Sequence, residues 1–216
     1  MKCDKNTMRL YAVTDRAWVG RLSLYEQVEA ALQHGVTCVQ LREKDLDPDT
    51  CFQEAVALRE LCHRYSVPFL INDNVDLALR CGADGVHVGQ DDMDPRQARA
   101  LLGPDKIVGV TAHNLPEALA AVEAGADYLG LGCVFTTSTK QNVVHLPYDT
   151  LRDICHTVPI PTVAIGGVSR DNLMQLAGSG VDGVAVVSAI FAQEDPGQAA
   201  EELSGLVQQM LGGVQK

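Results

Sequence analysis

Four copies of one phrase divide the chain. They read Gly35-Val-Thr-Cys-Val-Gln, Gly82-Ala-Asp-Gly-Val-His, Gly125-Ala-Asp-Tyr-Leu-Gly and Gly180-Val-Asp-Gly-Val-Ala. Each follows an amphipathic, Ala/Leu-rich stretch, so each glycine falls where a helix ends with positive φ and the chain turns into a strand. The copies are 47, 43 and 55 residues apart, room for two strand–helix units in each interval. Four pairs make eight units, which predicts an α/β fold of a single (β/α)8, or TIM, barrel. Such a barrel carries its chemistry where the strands end and the βα loops begin.

The 216 residues are few for this barrel and leave little room for a second domain, so one domain over 1–216 is expected, with its core at about 8–211. No low-complexity linker interrupts the chain. No run of 18 apolar residues occurs, and Met1-Lys-Cys-Asp-Lys-Asn-Thr lacks the apolar region of a signal peptide. A soluble, cytoplasmic protein is expected. The seven cysteines (Cys3, Cys38, Cys51, Cys62, Cys81, Cys133, Cys155) are odd in number and form no CxxC pair, which suits reduced thiols and argues against structural zinc. The net charge of −11 repels nucleic acid and acidic membranes, and no basic run offsets it. An anionic substrate would therefore meet only local cations.

Short apolar runs predict strands at about 9–13, 37–41, 68–71, 84–88, 107–111, 127–131, 161–165 and 183–187. Helical periodicity lies between them at 23–34, 50–65, 74–81, 95–102, 115–124, 148–156, 170–178 and 197–211. Ser23, Asp94 and Ser169 are the expected N-caps, with Pro95 at a first helical position.

Polar residues cluster at the predicted strand ends. Asp15 follows strand 1, Gln40-Leu41-Arg42-Glu43-Lys44 strand 2, and Asn72-Asp73 strand 3. His87 through Asp92 follow strand 4, Thr111 and His113 strand 5, and Thr136 through Lys140 strand 6. Gly166-Gly167 after strand 7 and Val187-Ser188 after strand 8 each lead towards a helix, the usual barrel cradle for a phosphate on backbone N–H groups. Asp73 and Asp92 end neighbouring strands and offer hard oxygen ligands suited to Mg2+. With Arg42, Lys44 and Lys140 on the same rim, they describe a metal–diphosphate site. His87 divides evenly between a core and a site role, and His113 can equally cap the helix after it. Asp84, Asp127 and Asp182 belong to the repeated phrase and are expected to serve the helix–strand turn. Gly130-Leu-Gly132 lacks the third glycine and helix start of a dinucleotide motif.

These residues together resemble the thiamine-phosphate synthase family, which joins the pyrimidine and thiazole halves of vitamin B1. The likeness runs from Tyr11-Ala-Val-Thr-Asp15 to Val187-Ser188-Ala-Ile190. Between them stand Gly35 to Lys44, Ile71-Asn-Asp73, Gly82 to Asp92, Gly125 to Gly132, Thr137-Ser-Thr-Lys140 and Ala164-Ile-Gly-Gly167. The resemblance implies a Mg2+-dependent transferase. Its thiazole nitrogen displaces pyrophosphate from 4-amino-2-methyl-5-(diphosphooxymethyl)pyrimidine, through a pyrimidine carbocation. It implies that Gln40, Leu41, Arg42, Glu43, Lys44, Asn72, Thr111 and Lys140 bind the pyrimidine diphosphate and that Asp73 and Asp92 ligate Mg2+. Thr137, Ser138, Thr139, Gly167, Val187 and Ser188 would hold the thiazole phosphate, and Arg42, Lys44 and Lys140 would act on the leaving group.

The chain departs from the family pattern at three places. Cys133 stands where the family usually has Pro, Thr111 replaces Ser, and Gln141-Asn-Val-Val-His145 replaces small and acidic residues after Lys140. Two other readings compete. A thiazole tautomerase on a similar barrel would not need Asn72, Asp73, Asp92 and Lys140 together. A non-catalytic barrel that binds a phosphorylated ligand would bind without turnover.

Overall fold

Eight short strands, each followed by a helical segment, close on themselves in a computed structural model that describes residues 3–136 and 144–212. The strands are β1 (Leu10–Val13), β2 (Cys38–Leu41), β3 (Phe69–Asn72), β4 (Gly85–Val88), β5 (Ile107–Ala112), β6 (Tyr128–Leu131), β7 (Thr162–Ile165) and β8 (Gly183–Val186). All neighbours are parallel, and β8 pairs with β1, so the chain forms the expected (β/α)8 barrel. The helices are α1 (Leu24–Gln33), α2 (Pro48–Arg64), α3 (Val75–Cys81), α4 (Pro95–Leu102), α5 (Leu115–Glu123), α6 (Tyr148–Thr157), a short α7 (Ser188–Phe191) and α8 (Pro196–Gly212).

The period of two in each strand sorts its side chains between two cores. Leu10, Ala12, Val39 and Leu41 pack outwards among the helices. Tyr11, Val13, Cys38, Leu70, Tyr128 and Val163 fill the barrel interior. In α1 the buried Leu24, Gln27, Val28, Ala31 and Leu32 recur at helical spacing and face the strands. Its start is a capping box: Ser23 Oγ accepts from Glu26 N, and the Glu26 carboxylate accepts from Ser23 N at 2.8 Å. Asp94 caps α4 through Arg96 N, with Pro95 next to it.

The seventh expected helix, 170–178, is a correction. Only one 3-10 turn forms, at Leu173–Leu176. Asn172 spends its side chain on Ser169 N and Gly167 O, both outside a helix, which is how Asn competes with helical bonding. Gly178 and Gly180, both at positive φ, then end the segment within a few residues. Ser169 therefore opens a turn, accepting from Asp171 N, and caps no α-helix.

The repeated phrase has one structural job. Its glycines stand at φ 101°, 72°, 88° and 89°, the left-handed turn out of a helical segment. Two residues on, the chain clasps the start of the preceding strand. Asp84 N donates to Phe69 O while Asp84 Oδ2 accepts from Phe69 N at 2.9 Å. Asp127 does the same with Val108, and Asp182 with Thr162. In the first copy Thr37 substitutes its hydroxyl, accepting from Leu10 N at 2.9 Å and bonding Leu10 O through its own N–H. Four clasps thus tie the strand starts around the bottom of the barrel. Cations or a histidine back three of them: His63 on Asp84, Arg99 on Asp127, and Lys5 on Asp182.

Candidate active site

Seven of the strands, and the turn after β6, send residues to one cavity of about 190 Å³ at the C-terminal end of the barrel. Strand β2 supplies Gln40 and the turn beyond it supplies Arg42 and Lys44; β3 ends in Asn72 and Asp73, and the β4 loop brings Asp92. Thr111 arrives from β5, Gly167 from the β7 turn, and Val187 and Ser188 from the β8 turn. These predicted site residues therefore surround a single space. Leu41 does not reach it, because its alternation points it into the outer core. Glu43 also turns away: its Oε2 accepts from Arg16 Nε at 2.6 Å, and its Oε1 accepts from Lys44 N and Asp45 N. Glu43 thus shapes the turn that carries Lys44. Lys140, Thr137, Ser138 and Thr139 lie outside the described residues.

Asp73 has an unusual backbone. It sits at φ 62°, left-handed for a residue with a Cβ, and donates its N–H to His87 O at 2.8 Å. Asp tolerates this region better than most residues, so the strained turn aims a carboxyl group into the cavity. Burial, together with the Asp92 carboxylate beside it, pushes Asp73 up to about 6, while Lys44 draws it partly back. Asp92 is anchored through Oδ2, which accepts from Gly89 N at 2.8 Å. A half-buried carboxyl group that a second carboxylate pushes towards its protonated form will also welcome a divalent cation. The donor set suits Mg2+, which takes one or two protein carboxylates and leaves its other positions to water and phosphate. Among the described residues no cluster of three or more His, Cys, Asp or Glu side chains forms a closed metal cage.

Cationic groups complete the rim. Arg42 is held by Thr14 Oγ1, which accepts its N–H at 3.0 Å, and by Asp15 at 3.5 Å. Lys44 makes no ion pair among the described residues and faces the same cavity. On the opposite side Gly166 and Gly167 are both at positive φ and run tightly beneath the β6 loop. A Cβ at Gly167 would lie 2.3 Å from Thr136 O, and one at Gly166 2.3 Å from Cys133 Sγ. Val187 at the start of α7 has no side-chain cap bond, so the first N–H groups there await another acceptor.

His87 and His113, each divided between a structural and a site role by their sequence setting, both line the cavity. His87 is buried, bonded to Tyr128 Oη at 2.8 Å and Thr111 Oγ1 at 2.9 Å. His113 is not the cap of α5, which is Asn114. Its ring meets Glu117 at 2.9 Å; burial would raise Glu117, but bonds from the His113 N–H and ring and from Asn114 hold it below the usual carboxylate range. Val13, Ile165 and Ala185 also line the cavity without prior notice, although period-two alternation from Tyr11, Val163 and Gly183 points each inwards. The Gly130-Leu-Gly132 phrase is explained by space. A Cβ at Gly130 would crowd His87 Cε1 at 3.0 Å, and one at Gly132 would strike Ile165 O at 2.3 Å.

The chain as a whole is similar to one group of known proteins. The family described as thiamine monophosphate synthase matches residues 10–190. A thiamine-phosphate synthase of Clostridioides difficile is 45% identical over 198 residues, covering 92% of this chain and 94% of the relative. That of Chloroflexus aurantiacus is 48% identical over 200 residues, 92% of each chain. A solved structure described as thiamine phosphate pyrophosphorylase from Pyrococcus furiosus superposes with a TM-score of 0.87 at 39% identity, covering 96% of this chain and 99% of the other.

Proposed function

The chain belongs to the thiamine monophosphate synthase family, and from that premise we propose how its residues carry the reaction. It is a thiamine-phosphate synthase: it transfers the pyrimidine methylene carbon of 4-amino-2-methyl-5-(diphosphooxymethyl)pyrimidine to the nitrogen of thiazole phosphate, releasing pyrophosphate. The observation that carries the mechanism is the meeting of unlike charges at one mouth, Asp73 and Asp92 beside Arg42 and Lys44. Neither the tautomerase nor the non-catalytic reading has an observation in its favour.

Asp73 and Asp92 hold Mg2+, which when bound supplies positive charge to the leaving diphosphate. Arg42 and Lys44, joined by Lys140, neutralise the charge that grows as the C–O bond breaks. Asn72, at the end of β3, orients the same group. Gly167, Val187 and Ser188, with Thr137, Ser138 and Thr139, receive the thiazole phosphate on backbone N–H groups and hydroxyls. Holding both rings over one cavity supplies orientation. Apolar walls from Val13, Ile165, Ala185 and Val186 exclude water from the electron-poor methylene. No strong base is required, since the thiazole nitrogen already has its lone pair. Among the described residues no helix is long and apolar enough to cross a membrane.

The test is to incubate purified protein with both substrates, with and without Mg2+, and to measure thiamine phosphate and pyrophosphate. Equimolar, Mg2+-dependent formation of both is expected. Binding of both substrates with no product would overturn the reading, and product formed equally well in chelator would remove the metal from it.

A further inference from the structure

Five side chains from five strands form one hydrogen-bonded line across the barrel. Gln40 Nε2 lies 2.6 Å from Tyr11 Oη, which lies 2.9 Å from Tyr128 Oη. Tyr128 Oη continues to His87 Nδ1 at 2.8 Å, and His87 Nε2 to Thr111 Oγ1 at 2.9 Å. The middle is buried, with Tyr11 and Tyr128 at most 1% exposed, while the two ends, Gln40 and Thr111, line the cavity. The line is built for these rings. A Cβ at Gly109 would land 2.1 Å from Tyr128 Cζ, and one at Gly130 would crowd the His87 ring. Burial keeps both phenols well above their ordinary range, so each retains its single hydrogen.

That single hydrogen gives the line a direction. An amide nitrogen can only donate, so Tyr11 Oη accepts from Gln40, and its own hydrogen goes to Tyr128 Oη at 2.9 Å, a stronger acceptor than the neighbouring Cys38 sulfur. Tyr128 then donates to His87 Nδ1, which leaves Nδ1 bare and puts the imidazole hydrogen on Nε2. His87 Nε2–H donates to Thr111 Oγ1, and the Thr111 hydroxyl is left to donate into the cavity. At the other end, Gln40 Oε1 has no bond among the described residues. Gln27 Oε1 is the one buried side-chain polar atom without a partner there, so Gln40 Oε1 opens on the cavity. The line therefore presents to the cavity one acceptor, on β2, and one donor, on β5.

We infer that Tyr11, Tyr128 and His87 are positioning residues that set this donor–acceptor pair, and that the pair selects a heteroaromatic ring bearing an amine beside an unsubstituted ring nitrogen. Gln40 Oε1 accepts from the amine, and Thr111 donates to a ring nitrogen. This rests on the function proposed above and adds to it a selection rule enforced by residues that do not touch the substrate. Thr111 serves as a donor for the same reason a Ser would, which is why the exchange of one for the other preserves the line.

Two measurements test it. The first uses the unligated protein at about pH 8, above the ordinary imidazole range, and reads the His87 tautomer from its ring ¹⁵N shifts. The hydrogen is expected on Nε2, and Tyr128→Phe is expected to release it to a mixture. A wild-type hydrogen on Nδ1 overturns the direction. The second compares the pyrimidine diphosphate with an analogue in which hydrogen replaces the amine. The wild type should lose more on this replacement than Tyr128→Phe does, so the ratio of their KM values should shrink about tenfold in the variant, with the KM for thiazole phosphate unchanged. Thr111→Ser should keep the wild-type ratio. A variant that merely loosens the barrel would weaken both pyrimidines equally, and an unchanged ratio overturns the inference. Because the tautomer is read without substrate, failure of the wild type to make thiamine phosphate would count against the function and leave the line to be judged separately.

Discussion

The two rims of this barrel use the same acid for opposite ends. At the bottom Asp84, Asp127 and Asp182 each accept a strand N–H and meet a cation or histidine, so their charge is fully answered. At the top Asp73 is half-buried beside another carboxylate and is pushed up to about 6. A carboxylate surrounded by donors is a fastener. A carboxylate left facing its own kind is a vacancy for positive charge. The difference lies in position along the strand: residues entering a strand meet an N–H at the start of the preceding strand, whereas residues leaving it meet the cavity.

Breaking the upper pair should give the largest effect. Asp73→Asn preserves the left-handed backbone better than Ala would, since Asn tolerates φ 62°. Steady-state synthesis with saturating substrates should fall about a hundredfold to a thousandfold, as when a group that stabilises transition-state charge is lost. The fold should gain. With a native value of about 6 against the ordinary 3.8, the native state keeps a proton that the unfolded chain has released, so stability falls as pH rises between them. Asn carries no such charge. Metal-free Asp73→Asn should therefore melt above the wild type at pH values over about 6 and with it below about 4, as scanning calorimetry can show. Equal melting at neutral pH would mean the upper carboxylates are not in conflict.

Breaking a lower clasp should do the reverse. Asp127→Ala removes the acceptor of Val108 N and the partner of Arg99. A buried strand N–H left unmade costs about 1–3 kcal/mol. Urea unfolding should report a loss of that size, while activity per folded molecule stays near the wild type. A large fall in kcat with unchanged stability would erase the distinction between the rims.

The contrast also explains what the sequence made legible. The clasps recur, so four copies of one phrase announce them, and the strand-end position of Asn72-Asp73 and Arg42 marks the other rim without any contact being known. Glu43 and Leu41 show the limit. They lie inside a contiguous polar segment, yet strand alternation and the Arg16 guanidinium turn them from the cavity. The line from Gln40 to Thr111 was hidden for another reason: Tyr11 and Tyr128 are 117 residues apart and meet only because the barrel closes. The seventh helix failed locally, where Asn172 and two glycines outweighed an apparent helical period.

Thr37 offers the finest test, because it is the clasp without a carboxylate. Its hydroxyl accepts from Leu10 N at 2.9 Å and also approaches Leu10 O at 3.2 Å, so it can give and receive at one strand start. No cation or histidine backs it among the described residues, in contrast to Asp84, Asp127 and Asp182. If the clasp works through the strand N–H, Thr37→Val should cost about 1 kcal/mol, the net worth of one neutral hydrogen bond. Thr37→Asp would restore an acceptor but bring a half-buried charge with nothing to answer it and forfeit the donated bond. It should fall below the wild type despite completing the pattern of the other three copies. A Thr37→Asp protein more stable than the wild type would show that the carboxylate alone makes the fastener, and that the cations beneath the other clasps are incidental.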